Sequence, residues 1–395
     1  MRAWQGALGA SSLRGIISPA YVVMRLRAQA SPLFYHHLYR TPAFAKEAER
    51  WSYGITSDMW SLRPEHFKVI YSALPPPDEQ AAIVRFLDHA NRKIDGFIRA
   101  KRKLIALLGE QKQAIIHRAV TGKDEVRRMK DENGNSSFIL QPSSLPKKPS
   151  GIPWLGDIPA HWEVRRLKTL CRVQGGYAFP AAAFGEKGVP VVRMNNLRRG
   201  VLNYESVVRI PQCECVEAFG LKEGDVLYGL SGSIGATGSL GNYAVVSDND
   251  LPAMLNQRIA RFVPQAQKVT PQFLVQVIQT PIFYQQVLAD TTGTAQFNVS
   301  TNDIANVAIP VPPIHEQESI VRQIASEISP LNTAIARTER EISLMQEYRT
   351  RLTADIVTGK LDVREVAAKL PDVAKSPADS AFLDTDEPTE PEEQE

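Results

Sequence analysis

An internal repeat of 237 residues restricts the fold more than any other property of this chain. PPPDEQAAIVRFL at 75–87 returns as PPIHEQESIVRQI at 312–324, and VTGK at 120–123 returns as VTGK at 357–360, with no gap between the two matches. A period of this size is domain-sized, far above the 20–50 residues of solenoid repeats. The chain therefore reads as two copies of one unit. Each repeated segment predicts a long helix. Prolines set its start, Asp78 and Glu79 fall where the helix dipole favours acids, and Gly122 and Gly359 suit the left-handed position after a helix end. Apolar residues recur in alternating four- and three-residue steps, at Ile94, Ile98, Ile105, Leu108 and Ile115 and at Leu331, Ile335, Ile342, Met345 and Leu352. That 3.5-residue period is a coiled-coil seam. Lys101, Lys112, Thr338 and Arg349 interrupt it and read as register-setting positions. The competing reading is two unrelated amphipathic helices, each packed on its own domain.

Between the helices, residues 124–150 are charged and then rich in Ser, Pro and Asn, which reads as a linker. A mixed α/β domain follows over 151–311. Its strand-like runs are VPVVRM at 189–194, GDVLYGL at 224–230, NYAVVS at 242–247 and RIARFV at 258–263. PQFLVQVIQTPIFYQQVLA at 271–289 predicts one or two helices interrupted at Pro281. By the repeat, an equivalent domain belongs before Pro75. SPAYVVMRL at 18–26 resembles the stretch around RIARFV, and MWSLRPEHF at 59–67 matches QFNVSTNDI at 296–304. Residues 1–74 are thus expected to be the C-terminal half of a first domain, from a truncated gene or a start assigned too late. The expected layout is that half-domain, a helix over 75–123, the linker, the second domain, a helix over 312–366 and an acidic disordered tail over 367–395.

Charge divides the chain. Pro371 to Glu395 holds nine Asp or Glu and one Lys, a net −8, so the total of +3 leaves +11 on the first 370 residues. Such a tail cannot bury enough apolar surface to fold, and the basic body is the part suited to phosphates. No apolar run is long enough for a membrane span and no signal-peptide core is present, so a cytoplasmic protein is expected. Cys171, Cys213 and Cys215 form neither a disulfide framework nor a Cys-x-x-Cys pair, and no bound metal is expected.

Catalytic patterns fail on inspection. The two Thr-Gly-Lys triplets lack the upstream glycine and following Ser or Thr of a P-loop. There is no Asn-Pro-Pro-Tyr element for amino-methylation and no Gly-x-Gly-x-x-Gly turn. Pro77-Asp78 with Glu110-Gln111-Lys112 spells the letters of a nuclease motif. On one helix those groups would lie about 50 Å apart, which no single metal can bridge.

IPWLGDIPAHWEVRRLKTL at 152–170, GDVLYGLSGSIG at 224–235, LNQRIARF at 255–262, GTAQFNVS at 293–300 and IPVPPIHEQESIV at 309–321 resemble the recognition domains of Type I restriction-modification specificity subunits. WQGALGASSLRGIISPAYVV at 4–23 resembles the middle of a first such domain. The resemblance implies a mixed α/β protein with two target-recognition domains, the first incomplete, separated by two long antiparallel coiled-coil helices. It implies a non-catalytic subunit that binds double-stranded DNA, reads half-sites of a bipartite target and positions methyltransferase and restriction subunits. S-adenosylmethionine, ATP and magnesium would bind those partners and not this chain. Self-association is a further expected partnership, because a second copy would complete the first domain. The alternative is a coiled-coil scaffold or inactive remnant with degenerate recognition domains.

Arg and Lys suit guanine, and Asn and Gln suit adenine, so the candidate readers are side chains of these types in turns. RMNNLRR supplies Arg193, Asn195, Asn196, Arg198 and Arg199 just after a strand. Ser231, Ser233, Gln257, Arg258, Gln296 and Asn298 lie in or beside the turns shared with the family. Taken singly, each is equally an ordinary solvated loop residue. Tyr177 and Phe179 read first as core, with packing against a sugar-phosphate edge as the alternative.

Overall fold

A computed structural model of the chain describes residues 3–11, 15–18, 21–26, 30–54, 61–130, 136–153, 155–198, 200–233, 239–289 and 297–371. It forms two compact units, residues 1–105 with 337–395, and residues 106–336, so the division falls inside both long helices.

In the first unit, α1 (Pro32–Tyr39) and α2 (Pro42–Arg50) are followed by the strand pair β1 (Ser52–Tyr53) and β2 (Ser61–Leu62) and the short α3 (Pro64–Phe67). The long helix α4 then begins at Pro77 and continues to Val120, 44 residues or about 66 Å by helical rise. Phe34, Tyr35 and Leu38 of α1 pack with Ile83 and Leu87 of α4 and with Ile356, Val357 and Val363.

The second unit begins its sheet structure immediately after α4. β3 (Asp124–Lys130) pairs with β4 (Ser136–Pro142) as an antiparallel hairpin, and β5 (Lys147–Pro149) pairs with β6 (Asp157–Pro159). The expected linker is therefore largely strand. The physical reason is local: the two segments flank Asn133-Gly134, the strongest short hairpin signal, and the second carries the β-favouring run Phe138-Ile139-Leu140. The turn residues 131–135 lie outside the described residues.

The domain proper holds β7 (Glu163–Arg166), β8 (Cys171–Gly175), β9 (Val189–Val192), the hairpin β10 (Leu197–Arg198) and β11 (Val201–Leu202), and β12 (Val208–Ile210). β13 (Val226–Gly229), β14 (Ser231–Gly232), β15 (Tyr243–Val245), β16 (Met254–Leu255), β17 (Ile259–Pro264), β18 (Phe297–Asn298) and β19 (Ala308–Val311) complete it. The two larger sheets are an antiparallel β15-β13-β17-β8 and a mixed β12-β9-β16 in which β9 and β16 run parallel; β10-β11, β14-β18 and β7-β19 form two-stranded pairs beside them. The helical side is α5 (Pro271–Ile278), α6 (Pro281–Ala289) and α7 (Thr301–Asn306). Phe262, Tyr228, Phe273, Phe283 and Trp162 anchor the core between sheet and helices, together with Ile116, Ala119 and Val120 at the end of α4. Ile320 and Ile324 join them from the start of α8 (Ile314–Val357). α8 runs through Pro330, and α9 (Arg364–Ala368) follows it.

The repeat extends to single hydrogen bonds. Gln317 accepts from Thr270 N at 2.9 Å and donates to Pro312 O at 2.9 Å; its counterpart Gln80 accepts from Ser31 N at 2.7 Å and donates to Pro75 O at 2.7 Å. Both glutamines are buried. Thr280 caps α6 as Thr41 caps α2, each hydroxyl also donating to the carbonyl three residues back. Buried polar groups need such partners, so each glutamine locks its long helix to the first turn of a capped helix.

The two long helices run antiparallel, since partner numbers fall along one as they rise along the other. In the first unit Arg349 bonds Asp95, and Lys101 meets Glu341 at 2.6 Å. In the second, Lys112 donates to Asn332 at 2.9 Å. Three of the four polar residues that interrupt the apolar grid thus bond across to the other helix, and Thr338 is buried at 4% exposure. Ile94 and Ile98 are buried, while Ile105, Leu108, Ile115, Leu331, Ile335, Ile342, Met345 and Leu352 are half-buried. Replacing Ile98 with Asp, or Met345 with Glu, is expected to cost about 3 kcal/mol or more by stranding a carboxylate on this surface. Denaturant unfolding of the full chain checks this, and unchanged stability in both variants would remove the seam.

Candidate nucleic-acid interface

The site grows from the only parallel strand pair among the described residues. β9 and β16 are neighbours with Val191 opposite Met254 and Val192 opposite Leu255, so their chains leave the sheet at the same end. After β9 the backbone makes a tight turn over Met194–Asn196, and after β16 it turns through Asn256, Gln257 and Arg258. The exit of β8 joins them: Tyr177 N donates to Leu255 O at 3.0 Å. Gly176 is required there, because a Cβ would collide with the Asn256 carbonyl and stand 2.8 Å from Leu255 O. Ligand crevices favour this location, outside the carboxyl ends of parallel strands.

Arg193, Met194, Asn195, Asn256, Gln257 and Arg258 line an open recess of about 260 Å³ there. Asn195, Gln257 and Arg258 are exposed and Arg193 is half-buried. Arg193 Nη2 donates to Ser206 O at 3.3 Å and Asn195 Nδ2 to Ser206 Oγ at 3.2 Å, which tethers both to one loop. On the far side of Arg258 its guanidinium donates to Asn298 Oδ1 at 3.2 Å, and Asn298 pairs with Ser231 between β18 and β14. Two sequence clusters more than fifty residues apart therefore share one rim. Arg198, exposed on the β10–β11 hairpin, and Ser233, exposed beyond β14, lie outside the recess lining. Arg199 and Gln296 lie outside the described residues.

One expected reader is corrected by the structure. Asn196 is fully buried, its Oδ1 accepting from Arg193 N at 2.8 Å and its Nδ2 donating to Asn203 O at 2.9 Å. An amide with both ends committed inside the fold cannot read a base; it holds the Arg193 turn in shape. Conversely, Asn256 was missed by motif reasoning although it sits beside Gln257 in LNQRIARF. It lines the recess, and its Oδ1 accepts from Gln257 N at 2.6 Å. Of the two aromatics assigned to core, Phe179 is buried but Tyr177 is 39% exposed, braced by Phe179 at 5.0 Å and Phe219 at 5.2 Å between ring centroids.

Behind the rim, Arg261 of β17 is buried against Asp225 at 3.2 Å, and also donates to Gly220 O, Ala218 O and Gln174 Oε1. This node ties β17 to the loop before β13 and to β8. The recess itself presents guanidinium and amide donors and acceptors and no carboxylate or nucleophile, which is the chemistry of recognition. Among the described residues no group of three His, Cys, Asp or Glu could hold a metal ion.

Residues 159–342 match the family model described as Type I restriction modification DNA specificity domain. Over 302 residues the chain is 25% identical to the MjaVIII specificity subunit of Methanocaldococcus jannaschii, covering 76% of this chain and 64% of that one. Over 238 residues it is 29% identical to the EcoAI specificity subunit of Escherichia coli, covering 56% of this chain and 40% of the relative. The chain thus spans less than two thirds of the length of these curated relatives. A solved chain from a study of complex assembly and conformational transition of the type I R-M system superposes with a TM-score of 0.58 at 17% identity, over 84% of this chain and 72% of that one. That likeness supports the fold alone. The sheet that builds the recess, and the recess itself, lie inside the matched segment, so this part of the chain is similar to the DNA specificity domain of Type I restriction-modification systems.

Proposed function

We propose that this chain is the sequence-specific DNA-binding subunit of a Type I restriction-modification complex. It reads a half-site of a bipartite target and positions methyltransferase and restriction subunits that carry the catalysis. The observation that supports this most directly is the recess at the ends of β9 and β16. Arg193, Asn195, Gln257 and Arg258 converge there, a set that matches the edges of guanine and adenine in the major groove. Arg198 stands beside it as a phosphate contact. The chain performs no covalent step of its own; S-adenosylmethionine, ATP and magnesium belong to the partner subunits. No helix among the described residues is long and apolar enough to cross a membrane.

Co-expression with the neighbouring methyltransferase subunit, followed by mapping of methylated bases across a host genome, tests this reading. A defined split motif supports it; a symmetric motif would point to a second copy supplying the other half-site. An assembled complex that methylates nothing would leave the scaffold reading instead. Substitution separates roles within the site. Gln257→Ala and Arg258→Ala are each expected to cost about 1–3 kcal/mol of discrimination and to relax one position of the motif. Asn196→Ala is expected to leave base preference intact but lower stability by about 1–3 kcal/mol, since it orphans a buried N–H and C=O. An Asn196→Ala protein with altered motif and unchanged stability would reverse that assignment.

A further inference from the structure

The two long helices repeat each other in length, caps and seam, but not in charge. From Arg92 to Lys103, α4 carries six Lys or Arg and one Asp, a net +5; the aligned stretch of α8, Ser329 to Arg340, carries two Arg and one Glu, a net +1. Packing does not require the difference, because Ile94, Ile98 and Lys101 of α4 face the seam while Arg92, Lys93, Arg99, Arg102 and Lys103 are all exposed. At 100° per residue, Arg92, Arg99 and Lys103 fall within about 40° of one another, on the side opposite the seam, and span about 16 Å of helix. Arg102 flanks them.

The nearby acids do not neutralise this stripe. Asp95 is bonded to Arg349, Glu341 to Lys101 and Arg337, and Glu347 to Arg351. Glu339 remains on the facing stretch of α8, and no ion pair joins it to the stripe. Asp88, one turn before Arg92, is the other acid of α4 close to the stripe, and burial pushes its carboxyl up while Arg92 draws it down. Outer helix faces ordinarily mix both signs, which supports solubility and local pairing. Apart from the attraction between Arg92 and Asp88, no ion pair among the described residues joins this single-sign row of guanidinium and ammonium groups, which suits a polyanion of regular spacing.

We propose that the exposed row Arg92, Arg99 and Lys103 of α4, flanked by Lys93 and Arg102, is a second, sequence-independent DNA contact that binds the phosphate backbone of a duplex. This deepens the functional reading above and rests on it. The ligand is chosen by the stripe itself: 16 Å covers about five phosphates of one strand at 3.4 Å of axial rise each, within reach of flexible side chains. Such a contact adds affinity without information, and it complements the recess, which supplies the discrimination.

The test is duplex binding by the full chain in complex with its methyltransferase subunit, across a range of salt. The variant is Arg92→Gln, Arg99→Gln and Lys103→Gln together. The control removes equal charge from exposed positions of α8, Arg322→Gln, Arg340→Gln and Arg351→Gln. The α4 variant is expected to lose roughly tenfold or more in affinity at low salt, for cognate and unrelated duplex alike. Its slope of log affinity against log salt should become shallower by about 2.7, or 0.9 per contact. The methylated motif stays the same, and Arg92→Lys, Arg99→Lys and Lys103→Arg together restore binding. Thermal unfolding checks that the variant is folded, as solvent-face substitutions should leave it. An unchanged slope in a complex that still methylates its motif overturns the stripe and leaves the recess standing. An equal loss in the α8 control reduces the effect to net charge and also overturns it. Loss of the methyltransferase subunit with DNA binding unchanged would make the stripe a protein-docking face. A wild-type complex that binds no duplex removes both this contact and the functional reading.

Discussion

Gly122→Ala is expected to destabilise the second unit by about 2–5 kcal/mol, whereas Gly359→Ala, its counterpart in the repeat, should cost the first unit only about 1–2 kcal/mol. Both glycines follow a long helix in the left-handed region, φ 70° and 76°, where a side chain costs about 1–2 kcal/mol. Both helix ends close with the same pair of bonds, Lys123 N to Arg118 O and Gly122 N to Ala119 O in one, Lys360 N to Asp355 O and Gly359 N to Ile356 O in the other. The surroundings differ. A Cβ on Gly122 would collide with the Pro159 ring, standing 2.6 Å from its Cγ and 3.3 Å from Trp162, while one on Gly359 meets nothing within 4 Å. Overpacking of a tight contact adds about 1–3 kcal/mol to the backbone strain. Trp162 is also fixed by its indole N–H to Glu316 at 3.0 Å, so it cannot simply swing away. Hydrogen exchange over residues 155–170 reads the effect locally. Equal protection in the two variants would mean that the Pro159–Trp162 contact contributes nothing to this helix end.

Arg261→Met should be the most damaging single change within the recognition sheet, at about 3–5 kcal/mol. The substitution removes the cation from a buried pair and leaves the Asp225 carboxylate with only the Lys222 N–H at 2.9 Å. Arg261→Met combined with Asp225→Leu is expected to recover most of that loss, because replacing both members removes the stranded charge. Function follows stability here. β17 continues directly from Arg258 on the recess rim, and Arg261 also holds the loop at Ala218 and Gly220. DNA affinity of the complex should therefore fall in the single variant and return in the double. If denaturant unfolding shows the double variant no better than the single, hydrogen bonds to Gly220, Ala218 and Gln174 hold the node and the ion pair is incidental.

What was legible in the sequence was periodic or local. The repeat offset located both long helices, the 3.5-residue spacing marked Ile94 and Ile98 as their inner face, and Gly122 and Gly359 marked their ends, because these depend on neighbours within a few residues. Strands around Val191, Leu227, Ala244 and Phe262 were legible for the same reason. The hairpin of β3 and β4 was passed over because both segments lack the apolar alternation that marks a strand, so only their pairing reveals them.

The site divided differently. Residue type and turn position nominated Arg193, Asn195, Gln257 and Arg258, but could not separate them from Asn196, an amide in the same heptapeptide as Arg193 and Asn195. Only the fold decides that Asn196 turns inward to Arg193 N and Asn203 O while Asn195 stays exposed. Nor could spacing show that residues 193–195 and 256–258 share a recess, since that follows from the parallel register of β9 and β16. The sequence by itself determined the long helices and the repeat, since these are set by local propensity and pattern. Tertiary structure decided which polar side chains are buried holding the fold and which stay exposed on the recess rim, because that depends on long-range hydrogen bonds and burial that no local pattern encodes.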